Sequence, residues 1–144
     1  MTIIERSALL PYSDQAMFDL VNDIESYPHF MEGCQGAEVI SHHGNKMTGR
    51  LDLGKAGITY SFSTCNFLDP PRSIEMELVE GPFRTFEARW DFEALRENAC
   101  KVTLHMEFEF NRSIIDVVLK KIFEASSRNL VNSVCKRADE IYGS

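Results

Sequence analysis

The sequence predicts an α+β fold in which a curved antiparallel sheet of about seven strands wraps around one long C-terminal helix. Residues 100–110 alternate apolar and polar side chains without a break, a pattern that is typical of a strand with one buried face. Shortly afterwards begin about thirty residues whose apolar side chains recur every three or four positions, which is typical of one amphipathic helix. This helix is the natural cover for the dry face of the sheet, so the two patterns together predict a helix-grip arrangement.

Residues 2–30 predict a first strand followed by a short helical segment. Residues 2–10 carry strand-like apolar groups and end at Pro11. Ser13 is a suitable N-cap for a short helix. The helical segment is predicted to break near Pro28, because the residue before a proline is biased away from the helical conformation. We therefore expect two short helices after the first strand.

Six further strands are predicted at regular spacing, separated by residues that are typical of turns. Gly44-Asn45 suits a tight hairpin, and Asp69-Pro70-Pro71 suits a loop. Because the connections are short, neighbouring strands are expected to be antiparallel. The predicted strands cover residues 34–43, 46–54, 58–67, 73–80, 84–94 and 100–110.

The final helix is predicted to run from Ser113, which suits its N-cap, to Gly143, which suits a left-handed C-terminal cap. Its apolar residues form one stripe that is expected to face the sheet. The stripe consists of Ile115, Leu119, Ile122, Ser126, Leu130, Val134, Ala138 and Ile141.

The length and composition predict a single domain that spans residues 1–144. This length is enough for one sizeable core but too short for two ordinary domains. Hydrophobic residues make up 44% of the chain and charged residues 26%, as in globular proteins. The start of the chain lacks a signal-peptide pattern, and no stretch approaches the roughly eighteen consecutive apolar residues of a membrane span. We therefore expect a cytoplasmic protein.

An apolar cavity is expected between the sheet and the C-terminal helix, because one helix cannot fill the concave side of a wide curved sheet. Alternation along each strand predicts which side chains point into it. The polar ones are suited to orienting a carbonyl or hydroxyl group, although a structural role fits them equally well. These are Tyr60, Thr64, Asn66 and Arg84. The full predicted lining is Leu51, Leu53, Tyr60, Phe62, Thr64, Asn66, Met76, Leu78, Arg84, Phe86, Trp90, Phe92, Leu104, Met106, Phe108, Ile122 and Leu130.

The chemistry at this predicted cavity favours binding over catalysis. On the strands that the alternation places most clearly, no Asp, Glu or His has the inward parity that general acid-base catalysis would require. The four cysteines are dispersed along the chain, without the paired spacing of zinc sites. They predict free thiols and no metal site.

The charge of the chain limits its partners. A net charge of −7 argues against DNA and against binding that depends mainly on phosphate contacts. Residues 113–144 differ from the rest, because they carry five basic groups against four acidic ones. An ordinary solvated helix face is sufficient to explain this balance.

Several segments carry a family resemblance, most specifically an Asp-Ile-Glu-x-Tyr-Pro motif at 23–28 and a Gly-Pro-Phe motif at 81–83. The similar segments are Phe18–Phe30, Cys34, Phe62–Asn66, Gly81–Phe83, Trp90–Phe92, Arg137-Ala138 and Tyr142-Gly143. With them the chain resembles, over nearly its whole length, the coenzyme Q-binding START-like proteins of the polyketide cyclase/dehydrase-like superfamily. The bacterial branch of that family includes the ribosome association toxin.

The resemblance implies a START-like helix-grip fold and a non-catalytic protein that needs no cofactor. Its pocket would hold ubiquinone or a related polyprenyl lipid as ligand, in support of respiratory electron transport. Apolar loops at the mouth of the pocket suit a peripheral contact with the inner face of a membrane. The alternative folds the same loops back onto the core. The predicted mouth residues are Tyr27, Pro28, Phe30, Met31, Pro82 and Phe83.

Two alternative functions stay open. The first is a regulator like the ribosome association toxin, which binds a ribosomal subunit and blocks subunit joining. It would use the basic face of the final helix against ribosomal RNA. The second is a polyketide cyclase/dehydrase-like enzyme, which the missing inward acid and base disfavour. The fold alone does not choose between them.

Overall fold

The computed structural model describes residues 1–55, 57–111 and 117–143. Within these residues the chain forms one antiparallel sheet, two α-helices and a short 3-10 helix. In chain order the elements are β1 (Thr2–Leu10), α1 (Asp14–Asn22), the 3-10 helix (Ile24–His29), β2 (Cys34–His43), β3 (Lys46–Lys55), β4 (Ile58–Asp69), β5 (Ser73–Glu80), β6 (Phe83–Arg96), β7 (Ala99–Phe110) and α2 (Val117–Tyr142).

The described strands form a single sheet in the order β1-β7-β6-β5-β4-β3-β2, and every neighbouring pair is antiparallel. From β2 to β7 each strand pairs with the next one in the chain, as short hairpin connections require. β1 pairs with β7 instead, so that Thr2 lies opposite Phe108 and Leu10 opposite Cys100. The predicted α+β fold, with its long C-terminal helix, is confirmed.

The alternation along β7 sets the dry face of the sheet. All its even-numbered side chains, from Cys100 to Phe110, are buried, whereas Lys101 is exposed and Glu107 is only partly buried. The same parity buries β6 from Phe86 to Phe92. This buried face is concave and is covered by the helices.

The segment after β1 forms the two short helices that were predicted. The Ser13 hydroxyl caps α1 by accepting a hydrogen bond from the backbone N–H of Ala16 at 3.1 Å. Asp23, with φ −83° and ψ 72°, leaves the helical conformation and ends α1. The chain continues as the 3-10 helix, which contains Pro28. The break therefore comes a few residues earlier than the proline alone predicts.

Helix α2 lies across the concave face. Of its predicted stripe, Ser126, Leu130, Val134 and Ala138 are buried, whereas Ile141 is 49% exposed. The prediction for Ile141 is wrong because the last turn contacts α1 instead of the sheet, with the Tyr142 hydroxyl donating to the Ala16 carbonyl at 2.9 Å. The predicted cap at Ser113 and the start of the stripe at Ile115 lie outside the described residues.

The predicted left-handed cap at Gly143 is also wrong. Gly143 is not among the glycines with positive φ, and its N–H donates to the Asp139 carbonyl at 3.0 Å. This bond has the spacing of the helix itself, so α2 stays helical through Tyr142 and ends without a left-handed residue at Gly143.

Side-chain hydrogen bonds hold helix α2 to the rest of the domain near its C-terminus and near its middle. Near its C-terminus, the Tyr12 hydroxyl donates to Asp139 Oδ1 at 2.6 Å. In its first half, the Ser126 hydroxyl donates to the Glu32 carbonyl at 2.6 Å, and Asn129 Nδ2 donates to the carboxylate of the same glutamate at 3.2 Å. In the described part of the chain, no helix is long and apolar enough to cross a membrane.

Candidate functional site

Phenylalanine rings fill the space between the sheet and the first half of α2. Phe123 of α2 is 1% exposed, and its ring centroid lies 4.9 to 6.3 Å from those of five other phenylalanines. The ring planes meet at 67° to 89°, the edge-to-face geometry that aromatic pairs prefer. The five partners are Phe62, Phe83, Phe86, Phe108 and Phe110. We call these six residues the phenylalanine cluster.

A small cavity remains on the other half of the concave face. It lies between the sheet and the segment formed by the end of α1 and the 3-10 helix, and its volume is about 30 Å³. A space of this size holds one or two water molecules. Its lining consists of Val21, Asn22, Ile24, Tyr27, Gly49, Leu51, Phe62, Thr64, Asn66, Ile74, Met76 and Trp90. A second, more open cavity of about 540 Å³ lies between the first half of α2 and the sheet edge formed by β2 and β3. It is lined by Glu32, Gly33, Gln35, Gly54, Lys55, Val118, Lys121, Ile122, Ala125 and Ser126. Open space beside α2, as predicted, is therefore present at this edge, whereas the phenylalanine cluster fills the space around Phe123.

Polar groups distinguish the small cavity from the rest of the core. The Thr64 hydroxyl donates to Asn66 Oδ1 at 2.7 Å, and both side chains are buried. Asn22 Oδ1 is also buried and has no hydrogen-bond partner in the described part of the chain. An unpaired carbonyl oxygen in a buried site is suited to accept a hydrogen bond from a water molecule or a ligand hydroxyl.

Tyr27 closes one side of the cavity and is itself satisfied. Its hydroxyl donates to the Val21 carbonyl at 2.6 Å, and burial raises the pKa of this phenol above its ordinary value. Among the residues described as lining the cavity it is the one titratable side chain. The phenol stays protonated at neutral pH, so the cavity can donate and accept hydrogen bonds but has no group suited to shuttle protons.

The 3-10 helix seals the cavity by close packing on the sheet. Gly49 of β3 lies directly beneath Ile24, and a methyl group at Gly49 would collide with Ile24 Cδ1. Beside this contact, the Val39 backbone N–H donates to Glu25 Oε2 at 3.2 Å and ties the 3-10 helix to β2. Access to the cavity from this side requires the 3-10 helix to move.

This fold and its sequence match a known family. Residues 10–135 match the model of the family described as polyketide cyclase / dehydrase and lipid transport. The chain belongs to this family. Its fold also matches the crystal structure of the Zhui aromatase/cyclase from Streptomyces sp. R1128, with a TM-score of 0.79 and 16% identity, over 96% of this chain and 93% of that chain. At this identity the likeness concerns the fold alone.

Two proteins that are similar to this chain in sequence have different names. Ribosome association toxin RatA from Vibrio cholerae serotype O1 is 44% identical over 143 residues, which cover 99% of both chains. Coenzyme Q-binding protein COQ10 homolog B, mitochondrial, from Xenopus laevis is 23% identical over 95% of this chain and 58% of that protein. The predicted resemblance to the coenzyme Q-binding START-like proteins and their bacterial branch is confirmed.

In this family member, part of the predicted lining does surround the cavity. The residues that line it are Leu51, Phe62, Thr64, Asn66, Met76 and Trp90. The residues that do not line it are Leu53, Tyr60, Leu78, Arg84, Phe86, Phe92, Leu104, Met106, Phe108, Ile122 and Leu130. Of these, Ile122 lines the larger cavity beside α2. Alternation correctly places most of these on the concave face, but it does not say which part of that face stays open. That any of them bind a ligand stays a prediction.

Sequence reasoning missed the side of the cavity that the short helices form. The helical spacing of the apolar residues Phe18, Val21 and Ile24 was the available signal for two residues on this side, Val21 and Ile24. Ile74 shares the parity of Met76, so strand alternation also indicated it. Neither pattern singles out Asn22 or Gly49, which depend on how the short helices dock on the sheet.

Arg84 is exposed, which corrects its predicted inward position. The pairing of β6 with β7 shifts at this point, because Phe83 lies opposite Phe110 and Thr85 lies opposite the next residue, Glu109. Arg84 is therefore the extra residue of a β-bulge. The bulge reverses the parity before it, so Phe83 points inward and joins the phenylalanine cluster while Arg84 points outward.

The predicted mouth residues do not form an apolar rim. Tyr27, Met31, Pro82 and Phe83 are buried, Phe30 is partly buried, and of the six only Pro28 is exposed. Phe30 is partly covered by Arg137, whose guanidinium carbon lies 5.9 Å from the ring centroid. The alternative in which these loops fold back onto the core therefore describes most of them correctly.

Two further buried groups have shifted acidities. The Tyr60 hydroxyl is buried without a partner among the described residues, and burial raises its pKa. Burial likewise raises the pKa of the Cys34 thiol to about 11. Cys34 is therefore protonated at neutral pH and is a weak nucleophile. Within the described ranges, no three His, Cys, Asp or Glu side chains are arranged to hold a metal ion.

Proposed function

We propose that this protein associates with a ribosomal subunit and regulates the joining of the two subunits. The observation that carries the proposal is the 44% identity to the Vibrio cholerae ribosome association toxin, which extends over 99% of both chains. Likeness over the whole length means that the same single domain is available for the same kind of contact.

The packing of the core supports a role as a binding module. Pockets for ligands of drug size usually measure about 300–1,000 Å³. The cavity bordered by Asn22 and Trp90 is about 30 Å³, the phenylalanine cluster fills the space around Phe123, and the cavity of about 540 Å³ beside α2 is partly open to solvent. The close packing of this core favours a contact made by the outer surface with a macromolecular partner.

Sedimentation through a sucrose gradient tests the proposal. The purified protein is mixed with small subunits, with large subunits, or with both under conditions that allow joining. We expect it to travel with one kind of free subunit and to lower the fraction of assembled ribosomes. Its absence from every ribosomal fraction at moderate salt would overturn the proposal.

Binding of an isoprenoid quinone is a second candidate, favoured by the unpaired Asn22 oxygen inside an otherwise apolar cavity. The Xenopus laevis relative, named as coenzyme Q-binding, supports the same ligand class. A quinone exceeds the present cavity, so the 3-10 helix would have to move to admit it.

The single tryptophan of the chain, Trp90, lines the cavity and serves as a probe of this second candidate. We expect a short-chain quinone to quench its fluorescence in a saturable manner. Unchanged fluorescence at saturating quinone, together with no lipid in native mass spectra of the freshly purified protein, would reject the candidate. We do not propose a cyclase or dehydratase reaction, because the residues described around the cavity include no carboxylate or imidazole for proton transfer.

A further inference from the structure

The outer face of α2 differs in charge from the rest of the surface. Between 117 and 136, all the exposed charged side chains of this helix are basic, and its acidic residue in this stretch, Glu124, is partly buried. The exposed acidic side chains of α2, Asp139 and Glu140, lie in its last turn. Three of the basic residues, Lys121, Arg128 and Lys136, take part in no ion pair within the described residues.

These three cations lie on one side of the helix. At about 100° per residue, Lys121, Arg128 and Lys136 lie within an arc of about 80° on the solvent side, with the Asn132 amide between the last two. At about 1.5 Å of rise per residue they are separated by about 10 Å and about 12 Å. Lys120 lies to one side, over the Phe110 ring at 5.9 Å. We call Lys121, Arg128, Asn132 and Lys136 the α2 ridge.

The opposite side of the molecule is acidic. On the solvent face of the sheet, Glu77, Glu87 and Glu107 lie side by side, since Glu77 pairs with Glu87 in β6 and Glu87 pairs with Glu107 in β7. Helix and sheet form two layers, so the α2 ridge and this row of glutamates face in opposite directions. A polyanion that approaches the protein is repelled from the sheet and attracted to α2.

From this arrangement we infer that the α2 ridge docks on the phosphate backbone of a ribosomal RNA helix. The inference rests on the proposed association with a ribosomal subunit and names the surface and the partner chemistry. The ridge carries Lys, Arg and Asn but no aromatic side chain for stacking on bases. Contacts of this kind read the shape and charge of an RNA helix rather than its sequence.

The spacing of the cations makes the inference quantitative. Their separations exceed the screening length of about 8 Å at physiological salt, so each cation acts on its own phosphate. Each phosphate contact contributes about 0.7 to 0.9 to the slope of the logarithm of affinity against the logarithm of salt concentration. Removing all three cations is therefore expected to make that slope shallower by about 2 to 3.

The experiment compares two triple variants of equal charge. The ridge variant is Lys121→Gln, Arg128→Gln and Lys136→Gln. The matched control, Lys46→Gln, Arg96→Gln and Lys101→Gln, also removes two lysines and one arginine, all exposed and all on the sheet. Affinity for purified subunits is measured over a series of salt concentrations. We expect the ridge variant alone to lose affinity at moderate salt and to show the shallower slope.

The outcomes separate this inference from the proposed function. If the unmodified protein binds no subunit, the proposed function fails and the docking fails with it. If the unmodified protein binds and the ridge variant keeps its affinity and slope, only the docking is overturned. Equal losses in both variants would mean that overall charge matters rather than the ridge. Loss of binding on changing Glu77, Glu87 and Glu107 to Gln, with the ridge variant unaffected, would indicate a basic ribosomal protein instead.

Discussion

The two halves of the concave face are filled by different means. Beneath the first half of α2, the phenylalanine cluster interlocks in edge-to-face contacts around Phe123, which is 1% exposed. Beneath α1 and the 3-10 helix, a cavity of about 30 Å³ remains, bordered by Asn22, Thr64 and Asn66. Aromatic rings contributed by both layers close the first half, whereas the second half is covered by a short segment with polar neighbours.

Because of this difference, one half of the concave face is expected to stabilise the fold and the other to adapt to a ligand. The half that holds the phenylalanine cluster anchors α2, whose outer face carries the inferred RNA contact. The half with the cavity is where a small ligand would enter, because a few contacts of the 3-10 helix close it. Perturbing the half with the phenylalanine cluster should therefore lower the free energy of unfolding more than perturbing the half with the cavity.

The largest expected effect comes from Phe123→Ala. Truncating a fully buried phenylalanine costs about 3–5 kcal/mol, since the surrounding rings relax only partly into the space. Urea denaturation measures the change in the free energy of unfolding. Phe67→Ala is the matched control, because Phe67 is 37% exposed and lies outside the cluster. If Phe123→Ala lowered the free energy of unfolding as little as the control does, the phenylalanine cluster would not be tightly packed around Phe123.

A smaller effect is expected where the 3-10 helix meets β3. Gly49→Ala places a methyl group against Ile24 Cδ1, and overpacking of this kind costs about 1–3 kcal/mol. Ile24→Val removes that carbon, so the double variant should be less destabilised than the sum of the two single variants. Strict additivity in denaturation experiments would show that Ile24 does not pack on Gly49 in solution.

Replacing the two asparagines of the cavity should have different effects on the free energy of unfolding. Asn66→Leu removes the acceptor of the Thr64 hydroxyl and is expected to cost about 1–2 kcal/mol. Asn22→Leu removes an unpaired buried oxygen and is expected to be neutral or stabilising. Thermal and urea unfolding of both variants provide the measurement. Equal destabilisation by the two would indicate that Asn22 Oδ1 is hydrogen-bonded in solution.

The smallest effect lies outside both halves, at His105 on the solvent face of the sheet. Its hydrogen bond with Glu107, followed by that with Glu5, raises the pKa of this imidazole above its ordinary value of 6.5. Because the folded-state pKa is the higher one, the stabilisation is fully present below about pH 6.5 and is lost as the pH rises through the folded-state pKa. The groups are largely exposed, so the contribution stays below about 1 kcal/mol.

Unfolding measured from about pH 5 to about pH 8 in the protein and in His105→Gln isolates this contribution. We expect the two stability curves to converge at the alkaline end. A difference between them that does not vary with pH would rule out the histidine as its source.

Much of the fold could be predicted from local patterns. The alternation of residues 100–110 and the cap at Ser13 both appear in the structure as the sequence predicts, because each depends on neighbours in the chain. The predicted inward position of Arg84 is wrong because a β-bulge depends on pairing with the partner strand, which the pattern within β6 does not indicate. The candidate site was predicted less well, since Leu51 and Trp90 border the cavity whereas Leu104 and Phe108 do not.

By itself, the sequence determined which elements form and, except at places such as Arg84 and Ile141, which side of each is buried, because backbone conformation and side-chain parity are largely local properties. Only the tertiary structure decided where open space remains. A cavity is the small difference between the volume enclosed by the backbone and the volume of side chains that come from distant elements. Phe62, Phe108 and Phe123 come from β4, β7 and α2 and meet at one point, so open space remains elsewhere, in the small cavity beneath the 3-10 helix and in the larger cavity at the edge of α2.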